Sequence, residues 1–194
     1  FLTPETSKIQ IQNQTVTTLN ILDWHNQLIY IPQNPYVFTA SLRENIAFYT
    51  PQSSDEDIKN AIHIVGLDDL LKELPDELNT IIGQGKRVLS GGQAQRIALA
   101  RAFLDKKRKI MVFDEPTAHL DIEKEVDLKQ KMLPLMKNHL VIFATHRLHW
   151  MKEMDYILVM DHGKLVEQGT FDELKQKNGY FVKLTQEMRG DQDD

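Results

Sequence analysis

Apolar positions in this chain follow two periods. Lys8-Ile9-Gln10-Ile11 alternates and predicts a short edge strand, with Val16 to Leu22 following as a connector. Leu28-Ile29-Tyr30-Ile31 predicts a buried strand stopped by Pro32. Prolines at 32 and 35 forbid a regular helix there, so Gln33-Asn34-Pro35 is expected to be a shaped loop. Ile110-Met111-Val112-Phe113 is apolar without alternation, as a central parallel strand covered on both faces should be, and it ends in Asp114-Glu115-Pro116. A second run, Leu140 to Ala144, ends in Thr145-His146. Tyr156 to Met160 and Lys164 to Glu167 flank Asp161-His162-Gly163, a hairpin signal with glycine in the turn.

Between these runs the period is helical. Ser41 to Phe48 predicts a short capped helix. From Ser53 to Leu74, Ser54 is the N-cap, Asp55, Glu56 and Asp57 fill a solvated first turn, and Ile58, Ile62 and Val65 share a face. Gly66 ends that helix and Leu67 to Leu71 starts another. A longer helix runs to Leu104 and is apolar on most sides: Ile97, Ala100 and Leu104 on one, Leu99, Ala102 and Phe103 on another. Burial is the expected consequence. Asp121 begins a helix from Ile122 to Leu133, and Thr170 with Glu173 forms a capping box for a further one. Gly190 to Asp194 is an acidic tail.

The stretch that gives this pattern chemistry is Val88-Leu89-Ser90-Gly91-Gly92-Gln93-Ala94-Gln95-Arg96, at the start of the apolar helix. Glycines without a Cβ let backbone N–H groups approach a phosphate closely, and the positive end of the helix favours an anion. Ser90 to Gln93 also fits an S-x-x-Q capping box, which needs no ligand. The decision comes from downstream. Two strand ends, one carrying Asp114 and Glu115 and one followed by His146, stand where open parallel sheets collect their ligands.

Leu89-Ser90-Gly91-Gly92-Gln93 resembles the signature motif of ABC-transporter ATPase domains. Ile110 to Glu115 resembles their Walker B strand, Gln33 their Q-loop glutamine, His146 their switch histidine, and Ala118-His119-Leu120-Asp121 their D-loop. The resemblance implies an α/β fold: a P-loop NTPase (ABC ATPase) core with a mostly parallel sheet (about 1–35 and 105–194) and a helical subdomain (about 41–92). It implies ATP and Mg²⁺ as cofactors. Asp114 and Gln33 would serve the metal, Glu115 would polarise the attacking water, and His146 would bond the γ-phosphate. Ser90, Gly91, Gly92, Gln93 and Asp121 would meet nucleotide, the signature closing over ATP held by a partner chain.

Two positions depart from the family. Exporters commonly carry a glutamate where Gln84 stands, and His119 replaces a small residue, so it is expected to face solvent rather than serve as a ligand. No G-x-x-x-x-G-K-[ST] stretch occurs among the 194 residues, and the chain does not begin with Met. The expectation is an N-terminally truncated piece that does not hydrolyse ATP by itself.

With 41% hydrophobic and 26% charged residues, the composition is that of a globular domain. No apolar run approaches the roughly 20 residues that span a bilayer, and no signal peptide is evident. A membrane connection must therefore come through another domain or chain. A net charge of −5 offers no footprint for nucleic acid, and zero cysteines exclude disulfides and thiolate metal sites.

The expected partners are a second nucleotide-binding domain and a transmembrane domain, with the chain at the cytoplasmic face of the cell membrane. Leu-Arg-Glu-Asn-Ile at 42–46 resembles exporter wording. Gly-Gln-Ala-Gln-Arg and Pro-Thr-Ala-His-Leu-Asp resemble bacterial half-transporters of the CydC/CydD thiol-exporter type. Two alternatives remain. DNA-maintenance ATPases of the SMC type share a signature but insert a long coiled coil before it. A non-catalytic remnant would not be expected to keep both Glu115 and His146.

Overall fold

The computed structural model describes residues 9–11, 14–16 and 22–190, which fall into two compact units, the first ending at Ala144 and the second from Thr145 onward. The first opens with an antiparallel pair, β1 (Ile9–Ile11) and β2 (Gln14–Val16). Val16, read from sequence as the start of a connector, is instead the strand partner of Ile9. Residues 17–21 of that connector lie outside the described set, as do 191–194 of the acidic tail. Next come α1 (Leu22–His25), β3 (Leu28–Ile31), β4 (Ala40–Ser41), α2 (Leu42–Ile46), α3 (Asp55–Ile64), α4 (Asp68–Glu73) and β5 (Ile81–Ile82). Then follow α5 (Gly91–Leu104), β6 (Ile110–Asp114), α6 (Ile122–Met136) and β7 (Leu140–Ala144).

The framework of this unit is a parallel sheet in the order β3-β6-β7, with Ile31 opposite Phe113 and Asp114 opposite Ala144. Ile29, Ile31, Met111 and Phe113 are buried, so the apolar run at 110–113 does form the central strand. β7 behaves otherwise. Its residues alternate, with Leu140 and Ile142 exposed, and among the described residues it pairs only with β6.

Local chemistry sets the helix boundaries. Ser41 and Ser54 cap α2 and α3 by accepting the N–H of Glu44 and Asp57. Gly66, at φ +68°, ends α3 in a left-handed conformation that favours glycine. The helix expected to stop before Pro134 continues to Met136. Leu128, Met132 and Met136 recur every four residues on one buried face, and that burial carries the helix past the proline.

α5 is the most deeply buried helix. From Ile97 to Leu104 every residue is buried, and each large apolar side chain contributes about 1.5–3 kcal/mol by leaving water. One charge goes with them. Arg101 donates to the carbonyls of Asn45 (2.5 Å) and Tyr36 (2.8 Å) and to the Asn45 amide oxygen (2.9 Å). Burial pushes its guanidinium down to about 10, so it remains a cation at neutral pH.

The second unit contains α7 (Leu148–Met151), the antiparallel hairpin β8 (Ile157–Asp161) and β9 (Lys164–Gly169), α8 (Phe171–Lys177) and α9 (Tyr180–Gly190). Val159, Leu174 and Phe181 form its core. Thr170 and Glu173 complete the expected capping box, and the Glu167 carboxylate accepts the Phe181 N–H at 2.7 Å.

Candidate functional site

β6 delivers Asp114 and Glu115 to the carboxyl edge of the parallel sheet, both half-buried. The Asp114 carboxylate accepts the Tyr30 hydroxyl at 3.3 Å from the neighbouring strand. Burial, and then the adjacent Asp114 charge, raise the Tyr30 phenol above its ordinary value. Gln33 leaves the same edge two residues after β3 and is exposed.

The chain then turns sharply. Glu115 has φ +48°, a left-handed conformation for a residue that carries a side chain. Its N–H donates to the Ala144 carbonyl at 2.9 Å, and its own carbonyl accepts from Ala118 at 3.1 Å. Leu120 N–H closes onto Thr117 at 3.0 Å. Thr117, 1% exposed, donates its hydroxyl to the fully buried Glu125 on α6. Asp121 occupies the N-cap position of α6, but its side chain makes no capping bond; Lys124 holds it at 2.7 Å and draws it below the usual carboxylate range.

The signature glycines meet this turn directly. A Cβ at Gly92 would stand 3.0 Å from the His119 carbonyl oxygen and 3.3 Å from Leu120. One at Gly91 would stand 3.0 Å from the His119 ring. The capping box expected at Ser90 and Gln93 is also present, each residue's side chain accepting the other's N–H. The cap therefore satisfies two donors of the helix start, while the glycines permit close approach of the 119–120 turn.

Ser90, Gly91, Gly92, Gln93, Asp114, Glu115, Gln33 and Asp121 thus all lie in the first unit, at the sheet edge or around the start of α5. His146 belongs to the second unit and is exposed. His119 is exposed as the sequence suggests, yet its ring lies on Gly91. No sequence signal pointed to Tyr30, whose role comes from the β3–β6 pairing. Gln95 did leave one: a polar residue on a helix apolar on most sides, and it is fully buried. Its amide donates to the Glu115 carbonyl at 2.8 Å and accepts the His119 N–H at 3.2 Å.

The donor set suits Mg²⁺ only as a nucleotide-borne ion. No cluster of three His, Asp or Glu able to hold a metal occurs among the described residues. One carboxylate and a neutral amide oxygen at a strand end fit a cation whose other ligands are phosphate and water.

An apolar helix behind a parallel sheet, with carboxylates at the strand end and glycines over the next turn, defines a P-loop NTPase core of the ABC ATPase kind. The sequence model for the family described as ABC transporter matches residues 1–118, and the chain belongs to that family. It is similar to the glutathione/L-cysteine transport system ATP-binding/permease protein CydC of Bacillus subtilis, 49% identical over 98% of this chain and 34% of the relative. The protein of the same description from Escherichia coli is 34% identical over 94% of this chain and 31% of its own length. Among solved structures, a bacterial Atm1-family ABC exporter with ATP bound superposes with a TM-score of 0.86 at 29% identity, covering 96% of this chain and 33% of that one. The chain spans about a third of the length of the curated relatives it matches.

Proposed function

We propose that this chain is the ATP-hydrolysing part of an ABC exporter, working head to tail with a second nucleotide-binding domain of the same or a different sequence. Residues 41–92 act as the helical, signature-bearing part, and 1–35 with 105–194 as the sheet core. The membrane-crossing part lies in the same polypeptide, in keeping with the ATP-binding/permease description of the relatives, and this chain sits at the cytoplasmic face. Among the described residues no helix is long and apolar enough to cross a membrane. The cargo we assign is a small thiol, glutathione or L-cysteine, on the strength of the 49% identical relative.

The observation that carries this reading is the packing of Gly91 and Gly92 against the turn that runs from Glu115 to Asp121. It joins a phosphate-binding helix start to the carboxylate that would orient water. Asp114 and Gln33 would meet the magnesium ion that accompanies ATP, and that ion would neutralise charge on the β- and γ-phosphates. Glu115 accepts a hydrogen bond from the attacking water and orients its oxygen toward the γ-phosphorus. His146 donates to a γ-phosphate oxygen. Ser90 and the two glycines face a partner's nucleotide, so the 194 residues alone turn over no ATP.

The test is steady-state ATPase of the full-length transporter. Glu115→Gln should bind ATP as the wild type does, while turnover falls by about 10²–10⁴-fold, the range supplied by a positioned general base. Near-normal turnover would show that Glu115 does not orient the water.

A further inference from the structure

Gln95 lies in the second turn of α5 with no exposed surface, and both ends of its side-chain amide are committed. Nε2 donates to the Glu115 carbonyl oxygen at 2.8 Å, and Oε1 accepts the His119 backbone N–H at 3.2 Å. The first partner belongs to a residue at φ +48°. Such a conformation persists at a side-chain-bearing residue only where the surroundings over-determine it. Here three hydrogen bonds do so: Glu115 N–H to Ala144, and Ala118 N–H and Gln95 Nε2 to the Glu115 carbonyl. The second partner, His119, carries the backbone that packs on Gly92 and the ring that packs on Gly91.

We propose that Gln95 is a positioning residue for ATP hydrolysis: its amide holds Glu115 in the backbone conformation that aims the carboxylate, and holds the His119 turn against the signature glycines. The proposal rests on the reading of Glu115 as the water-orienting group. The chemistry demanded at position 95 is specific. One group must donate to a carbonyl while another, in the same plane, accepts an N–H, and the stem must be two methylenes long. Glutamine meets all three demands. Methionine has the length but neither function. An ionised glutamate keeps the acceptor for His119 but sets a negative oxygen against the Glu115 carbonyl. A protonated glutamic acid has both functions again.

That last property separates positioning from packing. In the full-length transporter, Gln95→Met should lower kcat by about 10–100-fold, the scale expected when a reacting group is misplaced by about an ångström. ATP binding should stay within about 2-fold of wild type. Gln95→Glu should match Gln95→Met at about pH 8 and recover toward wild type near pH 6, because burial raises the pH at which a carboxyl ionises. Wild type should show no such rise.

Near-normal turnover in Gln95→Met overturns the proposal. So does a Gln95→Glu variant that is equally slow at both pH values, because the protonated acid restores both the donor and the acceptor and should restore turnover with them. Loss of ATP binding in both variants also overturns it, since the amide would then hold the fold. Glu115→Gln runs beside them. If that control turns over normally, the reading of Glu115 fails; if it is slow, Gln95→Met added to it should produce no further loss.

Discussion

Gly91 and Gly92 are neighbours in the signature, yet the structure predicts opposite tolerance to the same added methyl group. At Gly92 the new Cβ would meet the His119 carbonyl oxygen at 3.0 Å and Leu120 Cδ2 at 3.3 Å. The first is backbone, and the His119 N–H is itself tied to Gln95, so the turn must move as a unit. Overpacking of this kind typically costs about 1–3 kcal/mol. Alanine in a helix returns about 0.5–1 kcal/mol relative to glycine, leaving a net loss of about 1–2 kcal/mol. At Gly91 all three near contacts, at 3.0, 3.2 and 3.6 Å, are to the side chain of His119, an exposed residue whose ring can rotate aside. There the propensity gain and the small displacement should nearly cancel. The assay is amide hydrogen exchange in the full-length transporter without nucleotide, read on a peptide covering 115–121. Gly92→Ala should speed exchange there by about 5–30-fold, the equivalent of 1–2 kcal/mol, and Gly91→Ala by less than about 3-fold. Gly92→Asp should loosen the turn at least as much and also set a negative charge toward phosphate. Equal protection in both alanine variants, or greater loosening in Gly91→Ala, would refute the argument.

Two further outcomes are expected. Tyr30→Phe removes a 3.3 Å bond from a residue 37% exposed, so it should shift the Mg²⁺ dependence of turnover by less than about 3-fold; the bond itself, present while the phenol keeps its proton, should fade as alkaline pH rises through the raised Tyr30 value, which a phenol absorbance titration would follow. Arg101→Lys should destabilise the 36–45 segment by about 2–4 kcal/mol, read as faster amide exchange, because one ammonium cannot span the three acceptors that the guanidinium joins; wild-type exchange in the lysine variant would sink this assignment.

What could be seen in the sequence was whatever a period or a cap encodes. The runs at 28–31, 110–113 and 140–144 became the three parallel strands, and serines at 41, 54 and 90 became N-caps because short-range chemistry alone decides those positions. β7 shows the limit. Leu140 to Ala144 looks as apolar as the central strand, but burial depends on what lies beside and above it, and here Leu140 is 60% exposed. The turn after β6 shows another. Nothing local announces that a glutamate at 115 adopts a positive φ, because its supports come from Ala144, Ala118 and Gln95. Nor does a tyrosine at 30 announce a carboxylate 84 positions away.

α5 joins these cases. Its all-round apolar character was legible and explains its burial, but not why three polar side chains remain on it beyond Gln93 of the cap. Each reaches a different loop: Gln95 the turn after β6, Arg96 the Gly66 carbonyl behind α3 at 2.5 Å, and Arg101 the carbonyls of Tyr36 and Asn45. A helix packed on every side cannot tilt without unburying apolar surface, and one hydrogen-bonded at three heights cannot slide without breaking a buried bond. The loops that follow β3, α3 and β6 are therefore spaced by a single rigid element whose first residues are the signature itself. On the proposed reading, a phosphate closing on Ser90 to Gly92 presses on the end of that element, and the first buried polar side chain behind the press is Gln95, bonded to the Glu115 carbonyl.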